Sequence, residues 1–232
     1  MTHVDVRHNN NAGDGAARLA AAVLGNLKIE MFNEIPIKEM RANSFTELDL
    51  KGEVVGVEGG MVVACLMPVM GGLTALDLSF NDLKDEGVSA VCEVIQSNKE
   101  TKLASLNFGN NCIGPVGANT VAAMVAVTGA LTKLSLAQNF LNEAGTKAIC
   151  EALEQNTTLK ELDISGGDRG SNTGGSAGAK HVAKMVRVNG GLTKLSLAEN
   201  ELGEEGTKAI CEALEKNETL KELDLRGPWR RP

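Results

Sequence analysis

Apolar residues recur along this chain as Leu-x-x-Leu-x-Leu-x-x-Asn-x-Leu, and each copy is followed by a glycine and an alanine-rich segment. The copies start at Phe45, Leu73, Leu103, Leu131, Leu159, Leu192 and Leu220, so the step is 28 residues, lengthened once to 30 and once to 33. Within each copy an apolar pair alternates with polar residues: Leu48/Leu50, Leu76/Leu78, Leu106/Phe108, Leu134/Leu136, Leu162/Ile164, Leu195/Leu197 and Leu223/Leu225. That two-residue period predicts a short strand with one face buried. Ala-Ile-Cys-Glu-Ala-Leu at 148–153, present again at 209–214, changes to a helical period. Ile149 and Leu153 point to the core, Ala148 and Ala152 form one flank, and Cys150 forms the other. A strand and a helix in every step predict a solenoid whose units bury their apolar faces only against their neighbours. Helical crossovers between successive strands make the sheet parallel.

Other slots repeat with the leucines. Gly59, Gly87, Gly117, Gly145 and Gly206 lie 14 residues after their anchors, and Gly178 joins them once an insertion is allowed for. These glycines are expected where the strand-to-helix loop turns tightly. Asn81, Asn111, Asn139 and Asn200 stand where the chain leaves the strand, and each buried amide is expected to satisfy backbone groups of its own turn and the next. Glu86, Glu143 and Glu205 fall at helix starts, where a carboxylate favours the positive end of the dipole. Copies starting at Leu73, Leu131 and Leu192 carry Cys-Glu helices, and the others carry Met-rich segments, so the larger unit is a pair of repeats.

On these motifs the chain resembles the ribonuclease-inhibitor-like class of leucine-rich repeats, which includes ribonuclease inhibitors, Ran GTPase-activating proteins and the sensor regions of NOD-like receptors. The resemblance implies an α/β fold: a right-handed horseshoe with a parallel sheet on the concave face and helices on the convex face. We expect one domain over residues 1–232. Residues 1–44 read as degenerate N-terminal repeats acting as a cap, with strands at Val4–Asn9 and Leu27–Met31 and a helix over 15–25. Residues 45–219 read as six regular repeats with an insertion at 165–177. Residues 220–232 read as a terminal strand and tail, with Trp229 folded back over the core.

Composition narrows the function. A net charge of −7 argues against a surface for phosphate backbones or anionic lipid, so neither nucleic acid nor membrane is an expected partner. The run Ala16–Gly25 is short, follows Asp14 and lacks a basic leader, which favours a small helix over a signal peptide. Cys92, Cys150 and Cys211 share one helical slot in non-adjacent repeats, beyond bridging distance when helices stack at about 8–10 Å. Cys65 and Cys112 have no evident partner, and five free thiols point to an intracellular, cytoplasmic protein.

The outward strand positions are Glu47, Asp49, Lys51; Ala75, Asp77, Ser79; Ser105, Asn107, Gly109; Lys133, Ser135, Ala137; Glu161, Asp163, Ser165; Lys194, Ser196, Ala198; Glu222, Asp224, Arg226. From them we take Glu47, Asp49, Lys51, Asp77, Ser79, Asn107, Lys133, Ser135, Glu161, Asp163, Lys194, Ser196, Glu222, Asp224 and Arg226 as the candidate partner-binding surface. It has mixed charge, an acidic bias and no aromatic anchor. Asp168 and Arg169, in the Gly/Ser-rich insertion, are expected at the tip of a mobile contact loop. No catalytic arrangement, cofactor or metal site emerges: Asn107 interrupts the Asp49–Asp77 series, and the glycine-rich stretch 174–180 departs from a phosphate loop at Ala179 and His181. His181 fills the slot of Ala148 and is expected to pack between repeats. The expected function is a non-catalytic interaction module, monomeric, that binds an unidentified protein. The alternative, implied by the resemblance alone, is a regulator of a small GTPase similar to Ran GTPase-activating proteins.

Overall fold

The computed structural model describes residues 1–9 and 13–227. Trp229, expected over the last repeat, lies outside the described residues. Two short strands, β1 (His3–Val4) and β2 (Met31–Phe32), pair in parallel across helix α1 (Gly13–Gly25), and α2 (Ile37–Arg41) follows. The repeats then run β3 (Glu47–Asp49), α3 (Gly56–Leu66), a 3-10 turn at Met67–Val69, β4 (Ala75–Asp77), α4 (Lys84–Ser97), β5 (Ser105–Asn107) and α5 (Pro115–Val127). They continue with β6 (Lys133–Ser135), α6 (Asn142–Leu153), β7 (Glu161–Asp163), α7 (Gly175–Val188), β8 (Lys194–Ser196), α8 (Gly203–Leu214) and β9 (Glu222–Asp224). Strands β3 to β9 form one parallel sheet in chain order, with Leu48, Leu76, Leu106, Leu134, Leu162, Leu195 and Leu223 in mutual register. The leucines from β3 to β8 are buried, each worth about 1.5–3 kcal/mol, and they belong to one continuous core beneath the helices.

The N-terminal strands are shorter than the alternation predicts. Only His3–Val4 pairs, and Arg7 N–H turns back onto Asp5 Oδ1 at 3.0 Å. Its partner strand begins at Met31, later than expected, and Thr2 O accepts from both Glu30 N–H and Met31 N–H at its start, as a single carbonyl does ahead of each strand from β4 to β9.

The slot glycines have a different cause from the one expected. Gly59, Gly87, Gly117, Gly145, Gly178 and Gly206 sit inside helices, with φ outside the left-handed region. At Gly87, Gly117, Gly145 and Gly206 the helix of the preceding repeat approaches closely, whereas at Gly59 and Gly178 the nearest atoms belong to Val55 and Thr173, in the loop that leads into the same helix. A Cβ on Gly145 would stand 2.7 Å from Ala118 Cβ, and one on Gly206 would stand 2.7 Å from Ala179 Cβ. The left-handed positions fall earlier, between strand and helix, at Gly52, Val54, Phe80, Asp82, Asn110, Cys112 and Gln138 among others.

The asparagine ladder is present, and it ties each turn to the preceding repeat rather than the next. Asn111 Oδ1 accepts from Asn81 N–H and Leu83 N–H, while its Nδ2 donates to Leu78 O, Phe108 O and Gly109 O. Asn139 and Asn200 repeat the arrangement, and Asn33 and Asn172 are further rungs. A second ladder closes the opposite loops. Asn156, Asn189 and Asn217 donate back to Val125 O, Leu153 O and Val186 O and accept from N–H groups ahead of the next strand. Glu86, Glu143 and Glu205 lie in the first turns of α4, α6 and α8, where they act on the dipole without a side-chain cap bond.

All five cysteines are free. Burial pushes the thiols of Cys92 and Cys150 far above their usual pKa, whereas Cys65 and Cys211 are exposed and Cys112 is partly so. A thiol reagent is therefore expected to label Cys65, Cys112 and Cys211 in the native protein and all five after denaturation without reductant. Mass spectrometry of the labelled peptides checks this; rapid native labelling of Cys92 or Cys150 would contradict the packing.

Candidate protein-interaction surface

The outward side chains of β3 to β9 form two parallel rows. The central row is Asp49, Asp77, Asn107, Ser135, Asp163, Ser196 and Asp224, all in register. Most of these side chains also terminate their own strand by accepting the N–H two residues on. The distances are 2.9 Å for Lys51 to Asp49, 2.8 Å for Ser79 to Asp77, 2.9 Å for Gly109 to Asn107 and 3.0 Å for Ser165 to Asp163. Ser135 makes the same bond at only 3.5 Å, so a hydroxyl is the weakest member of the set. Asp77 additionally accepts from Ser79 Oγ at 2.6 Å and Asn107 Nδ2 at 2.9 Å. Its oxygens are thus engaged by protein donors, which leaves them poorly disposed to share a cation with Asp49. Among the described residues no group of three or more His, Cys, Asp or Glu is placed to hold a metal.

The outer row is Glu47, Ala75, Ser105, Lys133, Glu161, Lys194 and Glu222, and its charge is uneven. From β6 onward the charges alternate and pair: Lys133 reaches Glu161 at 3.4 Å and Lys194 reaches Glu222 at 2.7 Å. Donating to the Glu222 carboxylate raises the Lys194 pKa, and the Arg226 guanidinium bonded to Asp224 holds that carboxyl below its usual value. From β3 to β5, Glu47 lies across from Ala75, Asp49 from Asp77, and Asp77 from Asn107, with no basic neighbour in register. Lys51, the nearest cation in sequence, instead lies over the Phe80 ring, 5.6 Å from its centroid. This half of the sheet lines a shallow concavity of about 300 Å³ bounded by Glu47, Asp49, Asp77, Asn107, Lys133 and Ser135.

One expected member of the surface is not presented outward. Ser79 is buried, because its hydroxyl folds inward onto Asp77. Asp168 and Arg169 form the exposed tip of a turn closed by paired bonds between Gly167 and Gly170, and the insertion is shorter than the 165–177 expected. Gly166 N–H bonds Ala198 O, Asn172 takes the ladder slot, and Thr173 is buried with its carbonyl on Thr146 Oγ1. The added length is therefore confined to residues 166–171. The Arg169 guanidinium carbon lies 5.9 Å from the centre of the Phe140 ring and Nη1 donates to Cys112 Sγ at 3.4 Å, so the tip leans along the strand-to-helix rim.

That rim carries the aromatics that outward-strand reasoning did not include. Phe80 is 47% exposed and Phe140 partly so, each beneath a cation. Aromatic residues flanking the ladder asparagines, Phe80 before Asn81 and Phe140 after Asn139, are the signal that would have found them. His181 packs between repeats, 3.5 Å from Glu143, and Lys180 of the glycine-rich stretch is 3.6 Å from Glu205 rather than free for a phosphate.

A family model described as a leucine-rich repeat matches residues 73–92, 99–122, 155–168 and 192–211. The NACHT, LRR and PYD domains-containing protein 13 of Homo sapiens is 31% identical over 145 residues, 62% of this chain and 13% of that protein. The ribonuclease inhibitor of Mus musculus is 30% identical over 158 residues, 66% of this chain and 32% of the inhibitor. The chain is a leucine-rich repeat protein of the ribonuclease-inhibitor-like class. Among solved structures, the leucine-rich repeat-containing protein LegL7 from Legionella pneumophila aligns over 97% of this chain and 65% of its own, with a TM-score of 0.52. At 16% identity that likeness concerns the fold alone. The leucine-rich repeat chain spans about a third of the mouse inhibitor and a smaller share of the NACHT protein. No helix among its described residues is long and apolar enough to cross a membrane.

Proposed function

We propose that residues 1–232 act as one repeat domain, a non-catalytic protein-interaction module that takes a partner on the β3–β5 half of its concave sheet surface. The observation that carries this reading is the charge asymmetry of the two rows. Lys133, Glu161, Lys194 and Glu222 neutralise one another on β6–β9, whereas Glu47, Asp49 and Asp77 meet no basic neighbour across the strands. Uncompensated carboxylates beside a concavity select a segment bearing lysine or arginine, and exposed charges make such an association sensitive to salt. The ribonuclease inhibitors among the relatives carry in their name an action on another protein, in keeping with a binding role for this repeat class.

The test is affinity capture with two baits, the native protein and the triple variant Glu47→Gln, Asp49→Asn, Asp77→Asn. Asparagine is the replacement of choice because Asn107 already fills the same slot and keeps the strand-ending bond, which serine holds only weakly. Proteins retained at about 50 mM salt by the native bait, released toward 500 mM and lost from the triple variant are the expected result. An identical set on both baits overturns the assignment. Accelerated GTP hydrolysis by a member of a small-GTPase panel would instead make the protein a regulator.

A further inference from the structure

Phe80 stands where the fold asks for a different kind of residue. After most strands of the main sheet one residue takes the left-handed conformation and donates its N–H to a carbonyl of the following repeat: Gly52 to Ser79, Asn110 to Ala137, Gln138 to Ser165 and Glu199 to Arg226. Phe80 fills the same slot, with φ 61° and its N–H on Gly109 O. Glycine and asparagine bear that conformation readily, whereas a bulky aromatic bears it at a cost. Burial does little to offset the cost, since Phe80 is 47% exposed, the one aromatic among the exposed large hydrophobic residues described. Neither the backbone nor the core accounts for a phenylalanine here.

The ring already holds a cation. Lys51 Nζ lies 5.6 Å from its centroid, close enough to be drawn to the ring face. Among the described residues that ammonium has no hydrogen bond or salt bridge, so a competing cation can displace it. Arg169 over Phe140 is held differently, by a second bond to Cys112 Sγ. On the strand beside Phe80, Asp49 is exposed and spends Oδ1 on the Lys51 N–H, while its Oδ2 has no donor among the described residues. Both oxygens of Asp77 are engaged by Ser79 and Asn107.

We propose that Phe80 is the anchoring subsite of the β3–β5 surface and takes an arginine side chain of the partner, which displaces Lys51, stacks its guanidinium on the ring and donates to Asp49. The subsite rests on the reading that a basic segment docks on that half of the sheet. A partner lysine would only exchange one ammonium for another. The planar guanidinium stacks and donates to a carboxylate at the same time, so arginine gains where lysine does not.

The probes are two peptides, acetyl-Gly-Arg-Gly-Ser-Arg-Gly-amide and its counterpart with lysine for arginine. Each is titrated to about 10 mM, at about 50 mM salt, into the full chain carrying isotope labels on backbone nitrogen and phenylalanine carbon. NMR reads the Phe80 ring and the Ser105 and Asn107 amides separately. The arginine peptide is expected to shift all three and to bind at least about threefold more tightly than the lysine peptide. In Phe80→Asn, which installs the residue that Asn110 already places in this slot, the preference should vanish while the amide shifts persist and Tm does not fall. Phe80→Leu, apolar but without a ring face, should lose the preference as well. Equal affinities of the two peptides for the native chain, with the amide shifts present, overturn the arginine subsite and leave the β3–β5 reading standing. A preference kept in either variant overturns it too, as does a preference lost only together with a lower Tm in both. Amides that neither peptide moves would remove the β3–β5 reading itself, and the subsite with it.

Discussion

Asn111→Ala is expected to destabilise the protein by about 3–5 kcal/mol, measured by urea denaturation, with a matching loss of the native fold at elevated temperature. Asn111 is fully buried and its side chain makes five hydrogen bonds, three of which join it to the preceding repeat. Alanine strands the N–H groups of Asn81 and Leu83 with no water in reach, at about 1–3 kcal/mol for each unsatisfied group. Because repeats are stabilised by their nearest neighbours, the loss falls on the interface between β4 and β5 and weakens cooperativity along the solenoid. Asn119→Ala is the control: its amide donates to Pro115 O within the same exposed helical turn, and the change should stay within about 0.5 kcal/mol. A loss for Asn111→Ala no larger than for Asn119→Ala would show that the ladder does not hold the repeats together.

Gly117→Ala should cost about 1–3 kcal/mol although alanine is the better helix former. The new Cβ would lie 2.6 Å from Asp85 Oδ1, 2.9 Å from Ile113 Cγ2 and 3.2 Å from the Asp85 Cα. Asp85 cannot simply swing away, since its Oδ1 accepts from Gly114 N–H at 2.7 Å and so fixes the start of α5. Gly129→Ala meets nothing within 4 Å and should be neutral or stabilising by up to about 1 kcal/mol through the unfolded state. Thermal and denaturant midpoints of the two variants check the argument, and equal midpoints would refute close helix approach as the reason for the slot.

The repeat made the architecture legible, and the reasons are local. Leu76 and Leu78 must face inward together with Leu106 and Phe108, and a slip of one residue would expose all four, so strand register follows from the leucines alone. The role of the slot glycines did not follow, because a glycine needed for a tight turn and one needed beneath a neighbouring helix look the same in sequence. Asn172 escaped for a related reason. The extra residues at 166–171 displaced it from its count, and only its bonds to Leu136 O and Ile164 O reveal the slot. The second ladder was present in the spacing of Asn156, Asn189 and Asn217, each three residues before an anchor leucine. Outward positions of the candidate surface could be read from the two-residue period, but the pairing of Lys133 with Glu161 and of Lys51 with Phe80 depends on side-chain reach and not on period. Thus the uneven charge that singles out β3–β5 became visible only in three dimensions.

The central claim, that partners bind on the sheet side at β3–β5, is tested most directly by site-specific photocrosslinking. A photoreactive residue at Ser105, outward on β5, is compared with one at Gln96, exposed on the helical side in α4. Partner adducts are expected from Ser105, lost when Glu47, Asp49 and Asp77 are neutralised, and none from Gln96. Adducts from Gln96 alone, unaffected by those three substitutions, would contradict it.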